Sequence, residues 1–248
     1  MTSFVLQVQS YLTQKLGTER NECEDAVAFS LRNGAFAVSD GATEAFASRY
    51  WSRLLVRTWV RTPSASRKAP FLEMVNRLGE RTTERWRNKK LPWYAEEKAK
   101  DGSFATFVGL TLECYDDKLR WRSLAIGDSC LVHERSGSLI GSFPISEPEQ
   151  FGFRPVLLPS NVAGQSAVAE SIAEHEGAVE EGDEFYLFSD SVANWYLQGK
   201  RTNADFVFEF EQLLARGSTS ELDILFDEQR AASRMRNDDI AAIRVRVG

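Results

Sequence analysis

The feature that most constrains this chain is a series of short segments in which apolar and polar residues alternate, the two-residue period of strands with one buried face. Residues 4–10 (FVLQVQS), 26–30 (AVAFS) and 35–40 (AFAVSD) read this way, and Asn33-Gly34 between the last two is a strong hairpin signal. From Phe104 follow FATFVGLTLECY, KLRWRSLAIGD, SCLVHERSG and SLIGSF, with turns at Asp116-Asp117, Gly127-Asp128 and Ser136-Gly137. EFYLFSD, ending at Asp190, and a closing IAAIRVRV bring the expectation to about nine or ten strands. Between the two blocks the period changes. Tyr50, Trp51, Leu54, Leu55 and Trp59 recur at helical spacing within 43–61, and Phe71, Met74, Val75 and Leu78 begin a second helix after Pro70. Two more helical stretches are expected around 204–215 and 220–235. Hairpin-linked strands with helices gathered in two pairs, after residues 43 and 190, lack the strand-helix alternation of a doubly wound parallel sheet. The expected fold class is α+β: an antiparallel β-sandwich flanked by helix pairs, in four αββα layers. With no repeat, low-complexity tract or linker, residues 1–248 read as one domain. Within it, 141–178 carries Pro144, Pro148, Pro155 and Pro159 with little periodicity, a long irregular segment of the kind that often forms a flap.

Composition narrows the function. Thirty basic against 36 acidic residues give a net charge of −6, which disfavours nonspecific nucleic-acid binding. The one basic stretch, Arg77 to Lys90, also contains Glu80 and Glu84 and reads as a solvated helix face. No apolar run approaches the roughly 20 residues that span a bilayer, and the alternating N-terminus is unlike a secretory signal. No membrane partner and a cytoplasmic location are therefore expected. Cys23, Cys114 and Cys130 are scattered outside any C-x-x-C pair, against a disulfide framework or a zinc ribbon. His133 and His175 are the only histidines, so metal chemistry here must lean on oxygen ligands.

Aspartates gather at strand ends. Asp25 precedes AVAFS, Asp40 ends AFAVS, Asp128 ends SLAIG, Asp190 ends FYLFS, and Asp238-Asp239 precedes the last strand. Any one of them could be an ordinary turn or cap residue. If those ends converge, several like charges share one place, which is unfavourable unless cations neutralise them. Hard divalent ions with carboxylate, carbonyl and water ligands suit such a set. Gly41, just past Asp40, lets the backbone approach a ligand and offer its carbonyl. Arg20, shortly before Glu24 and Asp25, supplies a guanidinium suited to bidentate phosphate recognition.

In order along the chain, these residues resemble the metal-dependent serine/threonine protein phosphatases of type 2C. The elements are Arg20 with Glu24 and Asp25; Ser39, Asp40 and Gly41; Asp101, Gly102 and Ser103; Gly127, Asp128 and Ser129; Ser189 and Asp190; and Asn237, Asp238 and Asp239. They keep the family's order from residue 20 to 239, and DGATE looks like bacterial members. The resemblance implies a helix-flanked β-sandwich with a binuclear Mn²⁺ or Mg²⁺ site at one end. The implied activity is hydrolysis of phosphoserine and phosphothreonine in proteins by a metal-activated water. The implied partners are a phosphoprotein substrate and a Ser/Thr kinase. By the same resemblance, Asp40 bridges both ions, the Gly41 carbonyl binds one, and Asp190 and Asp238 bind the other. Asp239 could stand in for Asp238, although spacing to the strand favours Asp238. Asp128 would serve a weaker third ion, Glu24 and Asp25 would orient waters, Arg20 would hold phosphate, and 141–178 would be the variable flap.

Three positions depart from the family pattern: Ala42 where eukaryotic members often have histidine, Ser191 in place of a glycine, and Asn194 in place of an acid tied to the third metal. None is a direct ligand of the two core ions. The alternative is an inactive pseudophosphatase, the same fold kept as a binding module. A haloacid dehalogenase-type phosphatase is excluded because it needs an acid two residues before its partner, and position 38 is Val38.

Overall fold

The computed structural model describes residues 5–248 except 88, 117 and 153. Among these residues there are twelve strands: β1 (Leu6–Thr13), β2 (Ala26–Ser30), β3 (Ala35–Ser39), β4 (Phe104–Ala105), β5 (Phe107–Tyr115), β6 (Lys118–Ile126), β7 (Cys130–Arg135), β8 (Ser138–Phe143), β9 (Leu158–Pro159), β10 (Ala173–Ala178), β11 (Asp183–Phe188) and β12 (Ile240–Val247). The helices are α1 (Ser48–Trp59), α2 (Lys68–Arg87), α3 (Trp93–Asp101), α4 (Val162–Val168), α5 (Asp190–Thr202), α6 (Asp205–Arg216) and α7 (Thr219–Ala231). One sheet runs β1-β12-β11-β7-β8, the other β10-β6-β5-β3-β2, and β4 with β9 makes a short ribbon.

Strand alternation builds the layers. Phe36, Val38, Val108, Leu110, Phe185, Leu187, Ile243 and Val245 point inward and fill the space between the sheets. Their neighbours Ala35, Ala37, Phe107 and Leu124 face outward onto Trp51, Leu55 and Trp59 of α1 and Phe71 of α2. On the other side Tyr186, Phe188 and Ala242 pack on Trp195 of α5, Phe210 of α6 and Phe226 of α7. The four-layer αββα arrangement thus follows from the two-residue period of each strand, one face serving the sandwich and the other a helix layer.

Register fixes the two ends of the sandwich. Ala26 opposes Ser39, Phe107 opposes Ile126, and Phe188 opposes both Cys130 and Ala242. The start of β2, the ends of β3, β6 and β11, and the starts of β7 and β12 therefore share one end. The opposite end carries reversals such as Leu31–Gly34 between β2 and β3 and Ser136-Gly137 between β7 and β8.

Several expectations change. FATFVGLTLECY is interrupted at Thr106 into β4 and β5. The expected strand start at Phe4 and the Asp117 half of the expected turn lie outside the described residues. The helices form threes where pairs were expected: α3 follows α1 and α2, and α5 precedes α6 and α7. α5 buries Val192, Ala193, Trp195, Tyr196, Leu197 and Gly199, which leaves only the narrow polar stripe of Asn194, Gln198 and Arg201. Segment 141–178 is more regular than expected. It holds the end of β8, then β9, α4 and the edge strand β10, which pairs with β6 from Ala173–Ala125 to Ala178–Arg120. Its sequence AEHEGA is mostly exposed, and pairing, not apolar patterning, makes it a strand.

Candidate active site

Asp40 leaves β3 where the chain is held from both sides. Its carbonyl accepts the Thr106 amide (2.8 Å), and the Ser39 hydroxyl donates to the Thr106 carbonyl (2.6 Å). The break between β4 and β5 thus frees Thr106 to fix the Asp40 backbone. Gly41 pairs with Ala105 as an isolated bridge. A Cβ there would stand 2.9 Å from the Glu24 carbonyl oxygen and 3.0 Å from Ser48, so only glycine permits this approach. Gly127 turns the chain at φ +88°, a left-handed conformation, and delivers Asp128 into the same end of the sandwich. Beneath it the Ser129 and Thr106 hydroxyls hydrogen-bond to each other at 2.5 Å.

The acids act on one another as a cluster should. Asp25, just before β2, is 1% exposed. Burial holds its carboxyl well above the usual range, hydrogen bonds with Asp40 and Ser189 oppose this, and the charges of Asp239 and Asp190 add to it. Asp40 is likewise raised, by burial and then by Asp25, Asp190 and Asp238. Asp190, the first residue of α5, is pushed up to about 6 by burial and by Asp238, against the Ser191 amide and Arg236. Asp128 is pushed up to about 7 by burial and by Asp190. Glu24 is raised by burial, with a Thr43 hydrogen bond opposing.

Asp238 and Asp239 part company. The Asp239 Oδ1 accepts the Lys15 amide and its Oδ2 the Glu24 amide, both at 2.8 Å. This buried carboxylate therefore ties the β1–β2 connection to the start of β12. The half-buried Asp238 instead faces Asp40, Asp128 and Asp190 and helps to push all three carboxyls up.

Among the described residues no three His, Cys, Asp or Glu side chains stand as a ready metal cage. Asp25 and Asp40 instead act on each other, the Asp25 charge adding to the upward shift that burial imposes on the Asp40 carboxyl. The donor set still fits a divalent cation. It is all oxygen, and its ionised form is destabilised by burial and mutual repulsion. Two of its buried oxygens, Asp25 Oδ2 and Asp128 Oδ1, have no hydrogen-bond partner.

The structure thus brings together Glu24, Asp25, Asp40, Gly41, Asp128, Asp190 and Asp238. Arg20 stands apart. It is exposed, on the rim of a groove shared with Lys15 and Asp223, and makes no hydrogen bond or ion pair with a described residue. Asp101 ends α3, and Ser103 exchanges backbone and hydroxyl contacts with Ser160 at 2.8 Å. Sequence reasoning missed two arginines. The Arg236 charge favours the ionised forms of Asp128 and Asp190, and the Arg230 Nη2 donates to the Asp238 carbonyl at 2.7 Å. Arg236 has a local signal, the run Arg234-Met235-Arg236 just before the acids, whereas Arg230 sits in the last turn of α7 and has none. His133 and His175 both lie against Trp121, and His133 stands 3.0 Å from Asp183, away from the acids in a structural setting.

Comparison with known proteins gives a consistent result. Residues 18–227 match the family model described as protein phosphatase 2C. The catalytic domain of the serine/threonine phosphatase PstP, solved with two manganese ions, aligns over 99% of both chains with a TM-score of 0.66 at 14% identity. PppA, a regulatory component of the type VI secretion system of Pseudomonas aeruginosa, aligns over 99% of this chain and 100% of its own, with a TM-score of 0.59 at 19% identity. RsbX in complex with magnesium aligns over 98% and 96%, with a TM-score of 0.55 at 16% identity. No curated protein matches. At these identities the structural likenesses speak for the fold.

Proposed function

Because the chain belongs to the protein phosphatase 2C family, and is thereby a metal-dependent serine/threonine protein phosphatase, we propose that its aspartate cluster holds two Mn²⁺ or Mg²⁺ ions and hydrolyses phosphoserine and phosphothreonine in proteins. The observation that carries this reading is the pair of buried, partnerless oxygens on Asp25 and Asp128 within a set of mutually repelling carboxylates. The manganese in PstP and the magnesium with RsbX support the choice of ion.

In this reading Asp40 would be a ligand to the core ions and the Gly41 carbonyl would serve one of them. Asp190 and Asp238 would hold the other, and Asp128 a weaker third. The commitment of both Asp239 oxygens to backbone amides favours Asp238 as the ligand. When bound, the ions supply Lewis acidity and positive charge to the transferring phosphoryl group. The chain's own residues do the rest. Glu24 and Asp25 orient the attacking water, and Ser189 and Thr106 hold the carboxylate-bearing backbone in place. Arg20, unengaged at the rim, takes the phosphate oxygens bidentately. We take residues 1–248 as one phosphatase domain whose segment 141–178 covers the site's flank. A phosphoprotein and its Ser/Thr kinase are the expected partners in the cytoplasm. Among the described residues no helix is long and apolar enough to cross a membrane.

The test is turnover of a phosphothreonine peptide with Mn²⁺, with and without chelator. Activity should vanish in EDTA. Asp40→Asn should lower kcat/KM by about a thousandfold, the upper end of what losing one transition-state charge contact costs. Full activity after exhaustive metal removal, or unaltered turnover in Asp40→Asn, would sink the proposal. Tight Mn²⁺ binding without turnover of any phosphopeptide would favour the binding-module alternative.

A further inference from the structure

A cavity of about 520 Å³ opens between α2, α3 and the β4–β9 ribbon. We propose that it docks the acidic segment of a phosphoprotein substrate that flanks the phosphorylated residue, an inference that rests on the phosphatase reading above.

Position is the first argument. The inner wall is Ser103, next to Phe104, whose carbonyl accepts the Ala42 amide at 3.0 Å, and Ala105, which pairs with Gly41. Phe46, on the loop that continues from Asp40 and Gly41, forms part of the wall. An extended peptide advances about 3.3 Å per residue, so a chain with its phosphate at the acid cluster reaches this cavity within a few positions.

Chemistry is the second argument. Trp86 packs edge-on against Phe46 at 5.0 Å between centroids, and the Lys89 ammonium sits 4.6 Å from the Trp86 ring centre. Arg87, Lys89 and Lys100 line the opening against one carboxylate, Glu96. Among the described residues none of the three cations forms an ion pair. On a molecule of net charge −6 this is a local inversion of sign, which attracts an acidic partner and rejects a basic one. Two polar atoms of the wall lack partners within the protein. The Ser103 hydroxyl, on a residue only 1% exposed, has no hydrogen bond, and neither does the Trp86 indole N–H. Both residues line the cavity, but these two atoms are themselves buried, so the cations at the opening carry the recognition.

The test uses two phosphothreonine peptides that differ only in their flanks, Asp/Glu in one and Ser/Gly in the other, with p-nitrophenyl phosphate as a substrate that has no flank. The acidic peptide should show a kcat/KM about tenfold higher, mostly through KM, and high salt should erase the advantage. Reversing charge on the exposed residues, Lys89→Glu with Lys100→Glu, should abolish or invert the preference while p-nitrophenyl phosphate turns over as before. Trp86→Ala should weaken both peptides. Equal rates on the two peptides in the wild type, or a preference kept by the double variant, would overturn the docking site. If the wild type cleaves none of the three with Mn²⁺, the phosphatase reading fails instead. Quenching of tryptophan fluorescence by the acidic peptide, present in the wild type and lost in the double variant, then upholds docking alone; its absence in the wild type refutes it.

Discussion

Asp238 and Asp239 have the same side chain and adjacent positions, yet the fold gives them different work. Asp239 accepts two backbone amides from the β1–β2 connection, one on each oxygen. Asp239→Asn keeps one acceptor and turns an NH₂ toward an N–H, so one buried amide loses its partner. The expected cost is about 1–3 kcal/mol in urea unfolding, with loosening of the segment that carries Arg20 and Glu24. Asp238 accepts a single amide, that of Asp239 on Oδ1 at 2.9 Å, which the Asn oxygen can keep; Asp238→Asn also relieves repulsion on Asp190, so stability without metal should hold or rise while Mn²⁺ affinity and kcat fall. Equal destabilisation in the two variants would contradict this division. At this scale the sequence was a partial guide. Each acid was visible as an aspartate at a strand end, because turn chemistry is local. Which oxygen would be engaged, and that Arg230 and Arg236 would stand beside the acids, depends on contacts that exist only once β12 has docked.

Among the elements, α5 links the site to the rest of the molecule. Its first residue is Asp190, and one turn from its end Lys200 lies 2.6 Å from Glu134 and 2.7 Å from Glu211. The Tyr196 hydroxyl stands 2.7 Å from each of the same two carboxylates. Lys200→Met removes the countercharge and leaves the buried Glu134 facing Glu211. A loss of about 3 kcal/mol is expected near neutral pH, in the range for breaking a buried pair. Burial already raises the Glu134 carboxyl, so the loss should shrink as pH falls and the acid takes up a proton. Chemical denaturation of both proteins across pH checks the size and the trend; a deficit independent of pH would reject the argument. α5 was the least legible helix for the same reason that it matters. Most of its circumference is buried, so its polar stripe shrinks to Asn194, Gln198 and Arg201. β10 hid in the opposite way, its polar residues giving no inward face. The short strands rich in apolar residues, such as β3 and β12, were readable at once.

For the whole molecule, the acid cluster sets the response to pH. Without metal, Asp190 and Asp128 hold protons up to about 6 and about 7, against 3.8 in the unfolded chain. Asp25, Asp40 and Glu24 are shifted in the same direction. The folded state therefore binds more protons than the unfolded one, and stability declines as pH rises between about 4 and about 7. Carboxylates held low by arginines, Glu149 by Arg201 and Glu176 by Arg122, act only below that window. Metal-free protein should thus melt at a lower temperature at pH about 8 than at pH about 5, and Mn²⁺ should raise the melting temperature most at the higher pH. A melting temperature that climbs with pH without metal, or one indifferent to Mn²⁺ at alkaline pH, would count against the cluster. Strand alternation alone was enough to read the layers of the fold, since a two-faced strand needs something on each side. The reversals at the opposite end, Leu31–Gly34 and Ser136-Gly137, touch none of this machinery. They are places where a reporter or a second module could be spliced in, leaving one end of the sandwich to evolve new attachments while the other stays fixed by its chemistry.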